Sequence, residues 1–223
     1  MRSIKFKNIK AIIFDFDGVI FDTEPLWFAA AISSLKKLEL EYDKKITYKD
    51  TIGIASNIVF EKLLDKKKYI LQKKKINFIY ENELKLNFSK KIKPFQYLNI
   101  FLKKLNLKRV IVSNSSKKHI ISLLTNSNLY KYFQEDNIIS CSNQIKPKPE
   151  PDGYNFGAEL LGLKKSNILV IEDSEIGITA AKNANISNIL RFTNNNLNLA
   201  NNIIHNEVCS FRSYKDLMIY FNN

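Results

Sequence analysis

Three short apolar runs that stop abruptly at polar residues constrain this chain more than any other feature. Residues 9–14 end at Asp15, residues 109–112 at Ser113 and Asn114, and residues 167–171 at Glu172 and Asp173. Continuous rather than alternating apolar residues suit a strand buried on both faces of a parallel sheet, and helical-looking sequence separates the runs. The pattern predicts an α/β fold, a Rossmann-like, doubly wound and mostly parallel sheet. Residues 137–140 and 188–192 are weaker strand candidates. In such sheets ligands bind in the crevice outside the carboxyl ends of the strands, so the polar residues at the three strong ends should converge on one site.

About ninety residues separate the first two runs, where one crossover needs only about a dozen. Thr23, Glu24 and Pro25 give a helix start, and Phe28, Ala31, Ile32, Leu35 and Leu38 follow at helical spacing. Further helices are expected over residues 54–64 and 69–88, with residues 90–94 as the return linker. The expected organisation is a core formed by residues 1–20 plus 92–223, carrying an inserted α-helical domain at 21–91. The Asn-rich residues 194–202 read as a surface loop or an irregular helix end.

A formal charge of +13 over 223 residues raises the question of a nucleic-acid partner. The lysines are scattered, however, and the runs at 66–68 and 73–75 read as solvated helix faces. No basic and aromatic stripe on a recognisable nucleic-acid fold accompanies them. The expectation is no nucleic acid, no membrane and a monomer or weak dimer, with the positive field drawing small anions toward a cleft. The basic residues 1–10 and the apolar stretch after them imitate a signal peptide, but Asp15 and Asp17 interrupt the run, so a cytoplasmic protein is expected. Cys141 and Cys209 stand far apart with no metal-ligand spacing and read as buried thiols.

The motifs narrow the chemistry. Phe14 opens the segment FDFDGVIFDTE, which holds D-x-D-G as Asp15, Asp17 and Gly18. Ser113 ends the second run in VIVSNSS. Lys148, Pro149, Pro151 and Tyr154 form K-P-x-P-x-x-Y, and Glu172, Asp173, Ser174, Gly177, Ala180 and Ala181 form an acidic pair followed by S-x-x-G-x-x-A-A. Taken singly, each acidic residue would be a cap or turn residue and Lys148 a surface lysine. Together and in this order they resemble the four motifs of the haloacid dehalogenase superfamily, over residues 9–192.

The resemblance implies a Mg²⁺-dependent phosphatase acting on a small phosphate ester through an aspartyl phosphate. Asp15 takes the nucleophile's place, and Asp17 that of the general acid and base. Lys148 and Ser113 would hold phosphate oxygens, with Asn114 beside them, and Gly18 would let the backbone approach the phosphoryl group. Asp15, Asp173 and Asp17 would ligate the ion, with Glu172 binding directly or through water. The inserted domain resembles the family's small helical cap, with Gly53 in a specificity loop and Trp27 near the hinge as a substrate-facing candidate. Asp22 and Glu24 read as helix-start residues, and His119 and His205 as surface or structural. Sugar and polyol phosphates are the implied substrates. The alternatives are a β-phosphoglucomutase, whose cap His and Arg are expected at Trp27 and near Ser56 and are absent, a phosphoglycolate phosphatase, or a non-catalytic binding module.

Overall fold

The computed structural model describes residues 8–88, 92–141, 145–193 and 208–221. The Asn-rich residues 194–202 and His205 lie outside them, as does part of the 90–94 linker. The chain divides into two compact units, one of residues 1–22 and 93–223, the other of residues 23–92.

The first unit is built on six parallel strands: β1 (Ala11–Phe14), β2 (Lys108–Ser113), β3 (Ile138–Ser140), β4 (Ile168–Glu172), β5 (Asn188–Phe192) and β6 (Cys209–Phe211). They lie in the order β3-β2-β1-β4-β5-β6. β1 is central and buried along its whole length, which is why its residues are apolar without alternation. Ile13, Val110, Val112 and Val170 face a cluster that includes Tyr154, Ala158 and Leu161 of one helix and Ile178 and Ala181 of another. Phe14 turns the other way, edge-on to Phe101 and Phe133. Each such apolar side chain withdrawn from water contributes roughly 1.5–3 kcal/mol.

Register then places the site. Phe14 pairs with Ile111 on one side and Ile171 on the other. Asp15 therefore leaves the sheet beside Glu172, its N–H still donating to the Ile171 carbonyl at 2.9 Å. Beyond it the chain folds back on itself, with the Gly18 N–H on the Phe21 carbonyl at 2.8 Å. Asn185 takes a left-handed φ of +57° that Asn tolerates.

The second unit holds α1 (Glu24–Lys37), α2 (Ser56–Leu64) and α3 (Lys66–Phe88). Thr23 is the N-cap of α1, and Pro25 lies in its first turn, where a missing N–H costs nothing. Ala30, Ala31 and Leu35 pack with Val59, Phe60 and Leu63 of α2 and Tyr69, Ile76 and Tyr80 of α3. Lys37 and Ser33 both bond Glu83, at 2.6 and 2.5 Å, tying α1 to α3. Lys73, Lys74 and Lys75 are exposed, as expected of a solvated face.

The remaining helices belong to the first unit: α4 (Leu98–Lys104), α5 (Lys117–Asn126), α6 (Asp152–Leu161), α7 (Glu175–Asn183) and α8 (Tyr214–Met218). Among the described residues no helix is long and apolar enough to cross a membrane. One expectation fails: Cys141 is buried, but Cys209 is exposed. It begins β6 at the sheet edge, where only the third residue, Phe211, turns inward.

Candidate active site

The carboxyl ends of β1, β2 and β4 bring together most of the residues singled out in the sequence. Asp15, Glu172 and Asp173 are all buried, with one carboxylate oxygen from each lying within 4.8 Å of the others. Lys148 reaches them from the loop before α6, its ammonium 2.5 Å from Asp15 Oδ1 and 2.6 Å from Glu172 Oε1. It also lies over the Tyr154 ring, 5.1 Å from the centroid.

Glu172 accepts at both of its oxygens. Oε1 accepts from Lys148 and from the Tyr154 hydroxyl, each at 2.6 Å. Oε2 accepts from the Asp173 and Ser174 N–H groups and the Ser174 hydroxyl, at 3.1 to 3.3 Å. Ser174 in turn caps α7, its hydroxyl accepting from the Gly177 N–H. Glu172 thus aims Lys148 and the start of α7.

The electrostatics record a shortage of positive charge. Burial and then the charge of Glu172 push the Asp15 carboxyl well above its ordinary range, and Lys148 pulls it only part of the way back. Burial alone would lower the pKa of Lys148, but Asp15 and Glu172 outweigh it and hold the ammonium well above its usual pKa. Burial and Glu172 keep Tyr154 a phenol and therefore a donor. Three buried carboxylates around one ammonium are costly unless further positive charge joins them. An all-oxygen donor set of this kind suits a hard divalent cation, so the residues fit the Mg²⁺ that the motifs imply.

Gly18 has a φ of +77°, and a Cβ there would stand 1.9 Å from Asp173 Oδ2. The residue makes room for the Asp173 carboxylate. Gly177 likewise makes room for Glu172, whose Oε1 would be 1.7 Å from a Cβ.

On the β2 side, Asp17 Oδ2 accepts from the Ser113 hydroxyl at 3.3 Å and from the Ser115 hydroxyl at 2.6 Å. Asn114 is bonded to the main chain of Lys148 at both ends of its amide. Oδ1 accepts the Lys148 N–H at 2.9 Å, and Nδ2 donates to its carbonyl at 3.4 Å. His119 is half-buried and edge-on to Phe16. Gly53 and Trp27 belong to the helical unit. Gly53 has a φ of +71° and donates its N–H to Glu24 Oε1 at 3.2 Å, and Trp27 packs on Phe88 at 4.9 Å. Glu24 is therefore the partner of the Gly53 turn as well as a helix-start residue.

Sequence reading alone passed over Ser115, the hydroxyl role of Tyr154, and Arg191, whose Nε donates to the Asp173 carbonyl at 3.2 Å. Only Tyr154 had a local signal: six residues after Lys148, it falls in the first turn of α6.

A parallel sheet that gathers a paired aspartate, a seryl hydroxyl, a buried lysine and an acidic pair at its carboxyl edge is built for phosphoryl chemistry. The chain matches the haloacid dehalogenase-like hydrolase family over residues 12–190 and belongs to it. It is 29% identical over 192 residues to a phosphorylated carbohydrates phosphatase of Thermotoga maritima, covering 81% of this chain and 84% of that one. Fructose-1-phosphate phosphatase of Escherichia coli is 26% identical, covering 80% of this chain and 94% of its own. A haloacid dehalogenase-like family hydrolase from Streptococcus pneumoniae shares the fold, with a TM-score of 0.80 at 18% identity over 96% of this chain and 99% of that one. The chain is an enzyme, a phosphatase of this family.

Proposed function

We propose that this enzyme hydrolyses the phosphomonoester of a small sugar or polyol through an aspartyl phosphate on Asp15, with Mg²⁺ as cofactor. The observation that carries the reading is the buried cluster of Asp15, Lys148, Glu172 and Asp173 with Asp17 two residues beyond the nucleophile. The names of the carbohydrate phosphate phosphatases it resembles support the substrate class.

In the first half-reaction an Asp15 oxygen attacks phosphorus while the bond from phosphorus to the ester oxygen breaks. That oxygen takes the proton of Asp17 and leaves as the alcohol. In the second, water attacks the phosphorus of the aspartyl phosphate, gives a proton to the Asp17 carboxylate, and releases phosphate and the Asp15 carboxylate. Lys148, aimed by Glu172 and held through its main chain by Asn114, binds a phosphoryl oxygen and offsets the repulsion between two anions. Ser113 offers its hydroxyl to the phosphoryl group as a second donor. Asp15, Asp173 and the Asp17 carbonyl would hold Mg²⁺, with Glu172 behind them. Bound there, the ion neutralises charge on the transferring group. Selection among esters is assigned to the helical unit, through the Gly53 turn and Trp27.

The test is phosphate release from a panel of sugar, polyol, glycolate and nucleoside monophosphates, with and without Mg²⁺. Asp15→Asn should fold and lose at least about a thousandfold in turnover, since an amide cannot become the acyl phosphate. Substantial turnover by folded Asp15→Asn would remove the nucleophile assignment.

A further inference from the structure

The end of β2 and the turn after it carry four small polar residues in a row, Ser113 to Ser116, and three of them have work already described or plain in the geometry. Ser113 ends the strand, Asn114 holds the Lys148 main chain, and the Ser116 hydroxyl accepts the His119 N–H as the N-cap of α5. Ser115 is different. Its N–H donates to Ser113 Oγ at 3.0 Å, and its carbonyl accepts from the Ser140 hydroxyl at the end of β3 at 2.8 Å. A residue gripped at both its N–H and its C=O has a fixed main chain, which leaves its hydroxyl only the three staggered χ1 positions.

That side chain points at Asp17. The Ser115 hydroxyl donates to Asp17 Oδ2 at 2.6 Å, in the short range of a bond to a charged acceptor, while the Ser113 hydroxyl stands off at 3.3 Å. We infer that Ser115 is a positioning residue, which fixes the orientation of the acid/base carboxylate by holding Oδ2 as an acceptor, with Ser140 bracing it from the neighbouring strand. The inference rests on the reading of Asp17 as general acid.

A mispositioned acid matters in proportion to how badly the leaving oxygen needs a proton. An alkoxide needs it, whereas an aryl oxide with an electron-withdrawing group scarcely does. The quantity to compare is kcat/KM, which runs only through departure of the alcohol and excludes hydrolysis of the phosphoenzyme. For Ser115→Ala, kcat/KM on a polyol phosphate should fall about tenfold or more while that on p-nitrophenyl phosphate falls no more than about threefold. Ser115→Thr, which keeps the hydroxyl, should restore most of the difference. In an Asp17→Asn background, Ser115→Ala should leave the ratio of the two substrates unmoved. Equal losses on both esters, or a change of ratio that persists without the Asp17 carboxyl, would overturn the inference while leaving the phosphatase reading standing. A wild-type protein that turns over neither ester would overturn both.

Discussion

Replacing Gly18 by Ala tests whether the acidic cluster is assembled as described. The backbone cost is that of an L side chain at φ +77°, about 1–2 kcal/mol. The steric cost falls on one group. The new Cβ would lie 1.9, 2.6 and 3.1 Å from Oδ2, Cγ and Oδ1 of Asp173, facing the whole carboxylate. To reach ordinary contact Asp173 must withdraw by about 1 Å or more, and a displacement of that size at a reacting centre costs on the order of a hundredfold in rate. Gly162→Ala is the matched control, since its φ is +63° with no heavy atom within 4 Å of the added Cβ. Both variants should lose a few degrees in Tm, at about 2–4 °C per kcal/mol for a chain of this size. Only Gly18→Ala should lose about a hundredfold in kcat at fixed Mg²⁺ and need at least about tenfold more of the ion for half-maximal turnover. The assay is phosphate release across a Mg²⁺ titration, with Tm measured in parallel. A folded Gly18→Ala protein with the kcat and Mg²⁺ requirement of Gly162→Ala would refute the placement of Asp173 against this turn.

Tyr154→Phe removes a buried donor to Glu172 without changing shape, and a bond to a charged group is worth about 1.5–3 kcal/mol, so Tm should fall by roughly 3–12 °C. An unchanged Tm would show that Glu172 does not depend on the phenol. Burial holds the Cys141 thiol up at about 11 against an ordinary 9.0, so it stays neutral and protected, and the stability tied to it is present below pH 9 and lost as pH rises from 9 through 11. At pH 8.5 a haloacetamide should therefore modify Cys209 alone in the folded protein and both thiols in denaturant, read by mass spectrometry. Rapid native labelling of Cys141 would contradict its burial.

The parts of the fold that could be read from the chain are those whose physics is local. β1, β2 and β4 announce themselves because two-sided burial leaves an uninterrupted apolar run, whereas β5 is broken by Arg191 and β6 is three residues with one facing inward, with no such run to show. Cys209 was misread for the same reason, since residue type says nothing of which side of an edge strand it takes. The candidate site residues are legible because a strand end fixes where Asp15, Ser113 and Glu172 emerge. The groups that aim them are not. Ser115 meets Asp17 across 98 residues and Asn114 meets the Lys148 main chain across 34, through bonds that ordinary serines and asparagines make anywhere a turn brings them close. Even Gly18, plain in its motif, has its side-chain space taken by Asp173, which follows β4. Phosphoryl chemistry demands particular atoms, so those residue types are restricted and recognisable. Orientation can be supplied by any donor in the right place, so its residues become visible only once the sheet has set the ends of β1, β2, β3 and β4 side by side.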